Sequence, residues 1–242
     1  MPHANHLLPR AIEAAIRRSL LAWLVLALPL LWPVAGASQP SKQDINAPFV
    51  TDPDVLRWKS ELENEQREVY RERHRILAAV GLKPGMSVAD VGSGSGLFTR
   101  LFAKAVSPGG RVYAVDISRP LLDYVMQAAK QQHLDNVTAI IDTADDAKLP
   151  EASVDLVYVC DTYHHFEHPQ EVLASIRKAL RPGGRLVIVD FERIEGKSPK
   201  WLLEHVRAGK DTVKSEIEAA GFRFGGEKKF LRENYFIEFR RM

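Results

Sequence analysis

Asp90, Gly92, Gly94, Gly96 and Asp116 are the residues whose types and spacing imply chemistry most directly. An apolar strand predicted at 87–91 runs through Asp90 into Gly-Ser-Gly-Ser-Gly (92–96), and an amphipathic helix follows. Glycines at that spacing turn the backbone sharply and present bare N–H groups to a ligand, while the helix start behind them favours electron-rich groups. Twenty residues beyond Gly96, Asp116 closes the next apolar segment, where a carboxylate can accept both hydroxyls of a ribose. Together they are suited to hold a nucleoside. Leu97 stands three residues past Gly94, so the spacing is G-x-G-x-G rather than G-x-G-x-x-G, which disfavours a dinucleotide and an NAD-dependent oxidoreductase.

A second group of reactive side chains follows the apolar segment 154–160: Asp161, Tyr163, His164, His165, Phe166 and His168. Asp161, His164 and His165 are the candidates to take a proton from a hydroxyl, thiol or amine. H-H-x-x-H beside Asp161, with His205 further on, also offers imidazole and carboxylate donors to zinc, copper or iron. Against that, the spacing is not a recognised zinc pattern and His168 precedes Pro169 at a predicted helix start. The expectation is therefore contact with cofactor or substrate and no metal. Cys160 has no second cysteine to pair with and reads as a small core residue.

At 242 residues and 45% hydrophobic, the chain can bury one full core. A formal charge of +2 implies no polyanionic partner, and no basic groove with interleaved aromatics points to nucleic acid. Residues 1–37 read as a signal peptide or membrane anchor: Arg17 and Arg18 precede the apolar run 20–33, and Ala35-Gly36-Ala37 is a small-x-small cleavage signature. The expected location is extracytoplasmic, in the periplasm or secreted, or anchored facing outward, with residues 19–35 as the segment that would associate with a membrane. Residues 38–53 are polar and punctuated by proline, and read as a linker.

These side chains need a scaffold. From 54 to 80, Val55, Trp58, Leu62, Val69, Ile76 and Val80 recur at helical spacing, predicting one long amphipathic lid helix that ends at Gly81. Arg67, Glu68 and Tyr70 fall where such a lid could cover the site mouth. Beyond it, strands at 88–91, 111–115, 137–141, 154–160 and 185–191 alternate with helices at 97–106, 119–132 and 169–180. Segments such as 154–159 and 186–189 are apolar throughout, so helices must cover both faces of a mainly parallel sheet. Helices at 201–205 and 212–220, then strands at 222–230 and 234–240 joined across Arg232-Glu233, close the chain.

In order and spacing, residues 90–96, Asp116, Ala144-Asp145-Asp146 with Leu149-Pro150, Val154-Asp155-Leu156-Val157, Tyr163-His164-His165-Phe166 and Arg181-Pro182-Gly183-Gly184-Arg185 resemble one family. It is the class I S-adenosylmethionine-dependent methyltransferases, in the group that includes the ubiquinone/menaquinone-pathway and arsenite methyltransferases. The resemblance covers 54–242 and implies an α/β, Rossmann-like, doubly wound sheet of seven strands in the order 3-2-1-4-5-7-6, mainly parallel with strand 7 antiparallel. It implies S-adenosylmethionine as cofactor, with Gly92, Gly94 and Gly96 passing under its methionine and ribose portion. Asp90 would face its amino group, Asp116 would take the ribose hydroxyls, and Asp145 or Asp146 would reach the adenine amino group. Ala144 stands where relatives usually have glycine, and Asp142 has either a binding or a capping role.

Methyl transfer from a sulfonium asks mainly for alignment and exclusion of water. Tyr163, Phe166, Tyr70 and Trp58 are the aromatic candidates around the cation, and Tyr70, Tyr163 and His205 the expected substrate contacts. The acceptor is expected to be a small molecule enclosed by 54–80 and 198–209. The alternative is an exported nucleoside- or metal-binding module on the same fold, without methyl transfer.

Overall fold

The computed structural model describes residues 45–51 and 54–242; the expected leader, 1–37, and most of the expected linker lie outside the described residues. Nine helices are described: α1 (Ala47–Thr51), α2 (Val55–Leu62), α3 (Glu68–Arg71), α4 (Arg73–Val80), α5 (Leu97–Ala105), α6 (Arg119–Gln131), α7 (Pro169–Ala179), α8 (Lys200–His205) and α9 (Lys210–Ala219). The strands are β1 (Ser87–Val91), β2 (Arg111–Asp116), β3 (Val137–Ile141), β4 (Val154–Cys160), β5 (Leu180–Phe191), β6 (Phe222–Glu227) and β7 (Asn234–Arg241). They form one sheet in the order β3-β2-β1-β4-β5-β7-β6, as the resemblance implies. Strands β3 to β5 pair in parallel, and β7 runs antiparallel to both β5 and β6.

Both faces of the sheet are covered, which is why its strands are apolar without alternation. On one face Val88, Val112, Leu156 and Tyr158 pack with Phe98 and Phe102 of α5, Leu122 and Val125 of α6, and Ile76 and Val80 of α4. On the other, Ala89, Val91, Val157 and Val159 pack with Val172, Leu173 and Ile176 of α7 and with Val213 and Ile217 of α9. Each such wholly buried branched side chain contributes about 1.5–3 kcal/mol. The layers therefore hold the parallel strands in place from both sides. β5 begins before the predicted 185, because Pro182-Gly183-Gly184 are accommodated in a register irregularity opposite Val154 and Leu156.

The single helix predicted for 54–80 is in fact three. Asn64 Oδ1 accepts the N–H of Gln66 at 2.8 Å, a side-chain turn that competes with the helical ladder, and Arg67 is extended, with ψ 127°. Apolar spacing could not reveal the break, since Leu62 and Val69 keep the same period across it. What the break achieves is to turn Arg67 and Glu68 inward. The Glu68 carboxylate accepts the backbone N–H groups of Arg232, Glu233 and Asn234 at 2.7, 2.7 and 2.9 Å, and Arg71 pairs with Glu233 at 3.0 Å.

Residues 45–51 also depart from expectation. Read as linker, they instead hold α1 against the domain: Phe49 stacks on Trp58 at 4.4 Å between ring centroids, and Asn46 donates to the carbonyl of His165 at 3.1 Å. Proline-rich polarity signals only that a segment is not regular, and says nothing of what it docks on. Among the described residues, no helix is long and apolar enough to cross a membrane.

Candidate active site

The chain leaves β1 toward β2 and later returns to β4 on the other side of β1, so the connections after these neighbouring strands diverge and open a crevice at their C-terminal ends. Carboxylates gather there: Asp90 in β1, Asp116 at the end of β2, Asp142 after β3 and Asp161 after β4. All four line a cavity of about 1050 Å³, its opening to solvent included. Asn46, Phe49, Leu62, Arg67 and Val69 line it from the N-terminal segment.

The glycine loop is packed bare. Gly92 has φ +73°, and a Cβ there would fall 2.2 Å from Thr162 Cγ2; Gly94 has φ +51°, and a Cβ would fall 2.9 Å from Leu62 Cδ1. Both line the cavity, whereas Gly96 caps the start of α5 behind them. Asp116 is buried, with Oδ2 accepting the N–H of Gly94 at 2.8 Å and Oδ1 that of Ser118 at 2.9 Å. Each oxygen keeps a second lone pair for a diol. Burial pushes the Asp116 carboxyl up, opposed by those N–H groups.

Asp90 is pushed up to about 7 by burial, against the hydroxyl of Thr99, which donates to Oδ2 at 2.6 Å. Asp142 is pushed up to about 7 by burial and by the charge of Asp116. Asp142 Oδ1 and Ser93 Oγ are buried with no hydrogen-bond partner, both on residues lining the cavity. Such atoms are places where a polar ligand or a water completes the hydrogen bonding. The diol acceptor, the bare loop and these orphaned atoms fit an adenosyl ligand carrying a charged amino acid.

The expected adenine contacts are placed elsewhere. Thr143 and Asp146 pair across a tight turn, Asp145 accepts from Thr143 Oγ1 at 2.7 Å, and Asp146 accepts from Lys148 N at 2.7 Å and Nζ at 3.0 Å. Neither carboxylate lines the cavity, while Asp142, Thr143 and Ala144 do. Asp142, which sequence left undecided, is the one the turn directs inward.

At the far side, Asp161 has both oxygens engaged: Oδ2 accepts from Arg67 Nη2 at 2.5 Å and Oδ1 from Asn234 Nδ2 at 2.6 Å. It lines the cavity as an anchor for the N-terminal segment, and a proton acceptor there would have to leave these partners. His164 is buried and held by Asp190, with Nδ1 2.7 Å from Oδ1. His165 lines the cavity with Nδ1 3.1 Å from Asn46 Oδ1. Burial, with the neighbouring imidazoles of His164 and His205, holds its pKa far below the ordinary value, so it is neutral.

Three expected substrate contacts do not line the cavity. Tyr163 is buried beneath it and donates to Glu216 Oε2 at 2.8 Å, where Arg207 also binds bidentately at 2.8 and 2.7 Å. Tyr70 lies under the guanidinium of Arg73, 4.2 Å from the ring centre. His205 is exposed at the end of α8, its ring centre 5.0 Å from that of His164 and 5.3 Å from that of His165. The aromatic lining comes instead from Phe49, Phe98 and Phe166. Asn46 and Phe49 were missed because nothing in a short polar segment announces what it folds over.

The family model for a methyltransferase domain matches residues 89–188. The ubiquinone/menaquinone biosynthesis C-methyltransferase UbiE of Burkholderia cenocepacia (strain HI2424) is 25% identical over 175 residues, covering 60% of this chain and 70% of that protein. Its counterpart in Cupriavidus taiwanensis is 28% identical over 118 residues, covering 49% of this chain and 48% of that protein. Among solved structures, a SAM-dependent methyltransferase from Aquifex aeolicus is similar with a TM-score of 0.68 and 25% identity, over 78% of this chain and 99% of that one. Sheet order, cradle and relatives agree in supporting a class I S-adenosylmethionine-dependent methyltransferase.

Proposed function

We propose that the chain transfers the methyl group of S-adenosylmethionine to a small-molecule acceptor entering beside Phe49, Arg67, His165 and Phe166. The observation that carries this reading is the lining of one cavity: the bare glycine loop, the Asp116 diol acceptor and the unpartnered Ser93 Oγ and Asp142 Oδ1 open into the same crevice as Phe49, Arg67, His165 and Phe166, so a donor site and an acceptor site adjoin. The bound donor supplies an activated sulfonium methyl. Asp116 would hold its ribose hydroxyls, Asp90 would face its amino group, and Asp142 would accept from its adenine. Phe49 and Phe166 offer aromatic faces to positive charge, and Leu62 and Val69 help to exclude water.

With Nδ1 turned to Asn46, neutral His165 presents Nε2 as an acceptor that can orient a hydroxyl, thiol or ring substituent. Its depressed basicity makes it a positioning group rather than a proton store. Because the curated relatives are named for C-methylation in ubiquinone/menaquinone biosynthesis, phenolic rings are the first acceptors to test, followed by thiols and amines. Transfer of radiolabelled methyl to one of these, lost in Asp116→Ala, is expected. Donor binding with labelling confined to protein or RNA in a lysate would overturn the reading.

The arginines and apolar run of residues 1–37 support a location outside the cytoplasm, with residues 19–35 as the membrane-associating segment. Residues 1–40 fused to a reporter test this. A reporter found wholly in the cytoplasm refutes it.

A further inference from the structure

We propose that His164, His165 and His205 form a binding site for a divalent metal ion of the zinc type. One ring nitrogen from each lies within 4.8 Å of those of the other two. The residues arrive from two separate places, the 3-10 turn Tyr163–His165 after β4 and the last residue of α8, and their ring centres are 4.4, 5.0 and 5.3 Å apart.

The surroundings of the first two rings fix which nitrogen is free to coordinate. Asp190 takes Nδ1 of His164 with Oδ1 at 2.7 Å and the backbone N–H of the same residue with Oδ2 at 3.1 Å, so ring and main chain are held together. A carboxylate accepts, so Nδ1 of His164 carries the hydrogen. Asn46 donates its amide nitrogen to the His165 carbonyl at 3.1 Å and to Glu167 Oε1 at 2.7 Å. That fixes the amide's orientation and leaves its oxygen 3.1 Å from Nδ1 of His165, which must also be the donor. In both rings the lone pair is therefore on Nε2. An oxygen behind each imidazole, setting tautomer and ring plane, is how metal-ligating histidines are prepared.

Three imidazoles suit zinc, copper or nickel, and a zinc ion about 2.0–2.1 Å from each would bring the nitrogens to about 3.3 Å apart. Rotation of His205, which is exposed at a helix end, supplies that closure. Three protein ligands leave a fourth position for water or another donor, and in the metal-bound chain that position, rather than His165 Nε2, is what faces the methyl acceptor. The sequence pattern H-H-x-x-H is not the site, for His168 is exposed at the start of α7 and its place in the cluster is taken by His205, far downstream in α8.

The test uses the full chain, stripped with a chelator and titrated with zinc chloride by calorimetry, in the absence of methyl donor. One ion per chain is expected, with a melting temperature that rises with zinc, and cobalt(II) is expected to give the visible absorption of a tetrahedral site. His205→Gln alters an exposed position and should keep the zinc-free melting temperature while weakening zinc binding at least tenfold. Asp190→Asn should weaken it about 10- to 100-fold, and His168→Ala should leave it unchanged. A wild-type chain that takes up no stoichiometric zinc overturns the proposal, and so does zinc binding that His205→Gln leaves intact.

Discussion

The backbone N–H of Gly94 donates to Asp116 Oδ2 at 2.8 Å, joining the loop that follows β1 to the end of β2. The cradle and the carboxylate expected to grip the ribose thus set each other's position. Asp116→Ala removes the diol acceptor and orphans the Gly94 N–H, so S-adenosylmethionine affinity should fall by about 2–4 kcal/mol. Asp116→Asn, which retains one acceptor oxygen, should lie between. Calorimetry with the donor or its demethylated product decides, and an unchanged affinity for Asp116→Ala would refute the cradle.

Asp142 and Asp145 make a contrasting pair. Asp142 Oδ1 is buried, without partner and on a residue lining the cavity, whereas Asp145 is spent on Thr143. Asp142→Ala should cost about 1–3 kcal/mol of donor affinity, the range for a buried hydrogen bond, and Asp145→Ala should cost none. The reverse ranking would return the adenine contact to Asp145.

Legibility in the sequence followed burial. Strands covered on both faces, such as Val154–Cys160, leave an unbroken apolar run, and Asp116 stood out because a carboxylate closes such a run beyond a glycine loop. The break in 54–80 did not show, because the side-chain turn at Asn64 and the inward contacts of Arg67 and Glu68 leave the apolar period intact. Which of Asp142, Asp145 and Asp146 faces inward depends on the pairing of Thr143 with Asp146, a matter of turn geometry rather than residue type. His205, Asp190 and Asn46 meet His164 and His165 only because the topology brings four distant segments to the same end of the sheet.

Ionisation of the carboxylates should make donor binding depend on pH. Asp90 and Asp142 are raised from an ordinary 3.8 to about 7 in the folded chain, chiefly by burial. The folded chain therefore keeps protons that the unfolded chain has released. The stability this contributes is full below the unfolded value and is lost as pH rises through about 7. Without donor, the melting temperature should be lower at about pH 8 than at about pH 6 if these groups dominate. A cationic donor favours the ionised carboxylates, so its affinity should strengthen over the same interval, and Asp90→Asn should flatten that rise. Affinity that weakens from the lower to the higher pH would contradict the assignment.

Glu68 tests how the N-terminal segment is held over the cavity. Its carboxylate, 6% exposed, accepts three consecutive N–H groups of the turn before β7, and its neighbours Arg67 and Val69 line the cavity. Truncation to alanine leaves those donors without an acceptor; with partial relief by water, a loss of about 2–4 kcal/mol of stability is expected. Lys200→Ala, which removes an exposed pair with Glu204, should cost a few tenths of that scale at most. Glu68→Gln keeps one acceptor oxygen and should be intermediate. Because Arg67 ties the same segment to Asp161, loosening Glu68 should also weaken donor binding, whereas a lid held by apolar packing alone would lose stability without losing affinity. Urea denaturation and donor calorimetry on the three variants separate these cases: a Glu68→Ala chain as stable as Lys200→Ala would show that the carboxylate does not staple the lid.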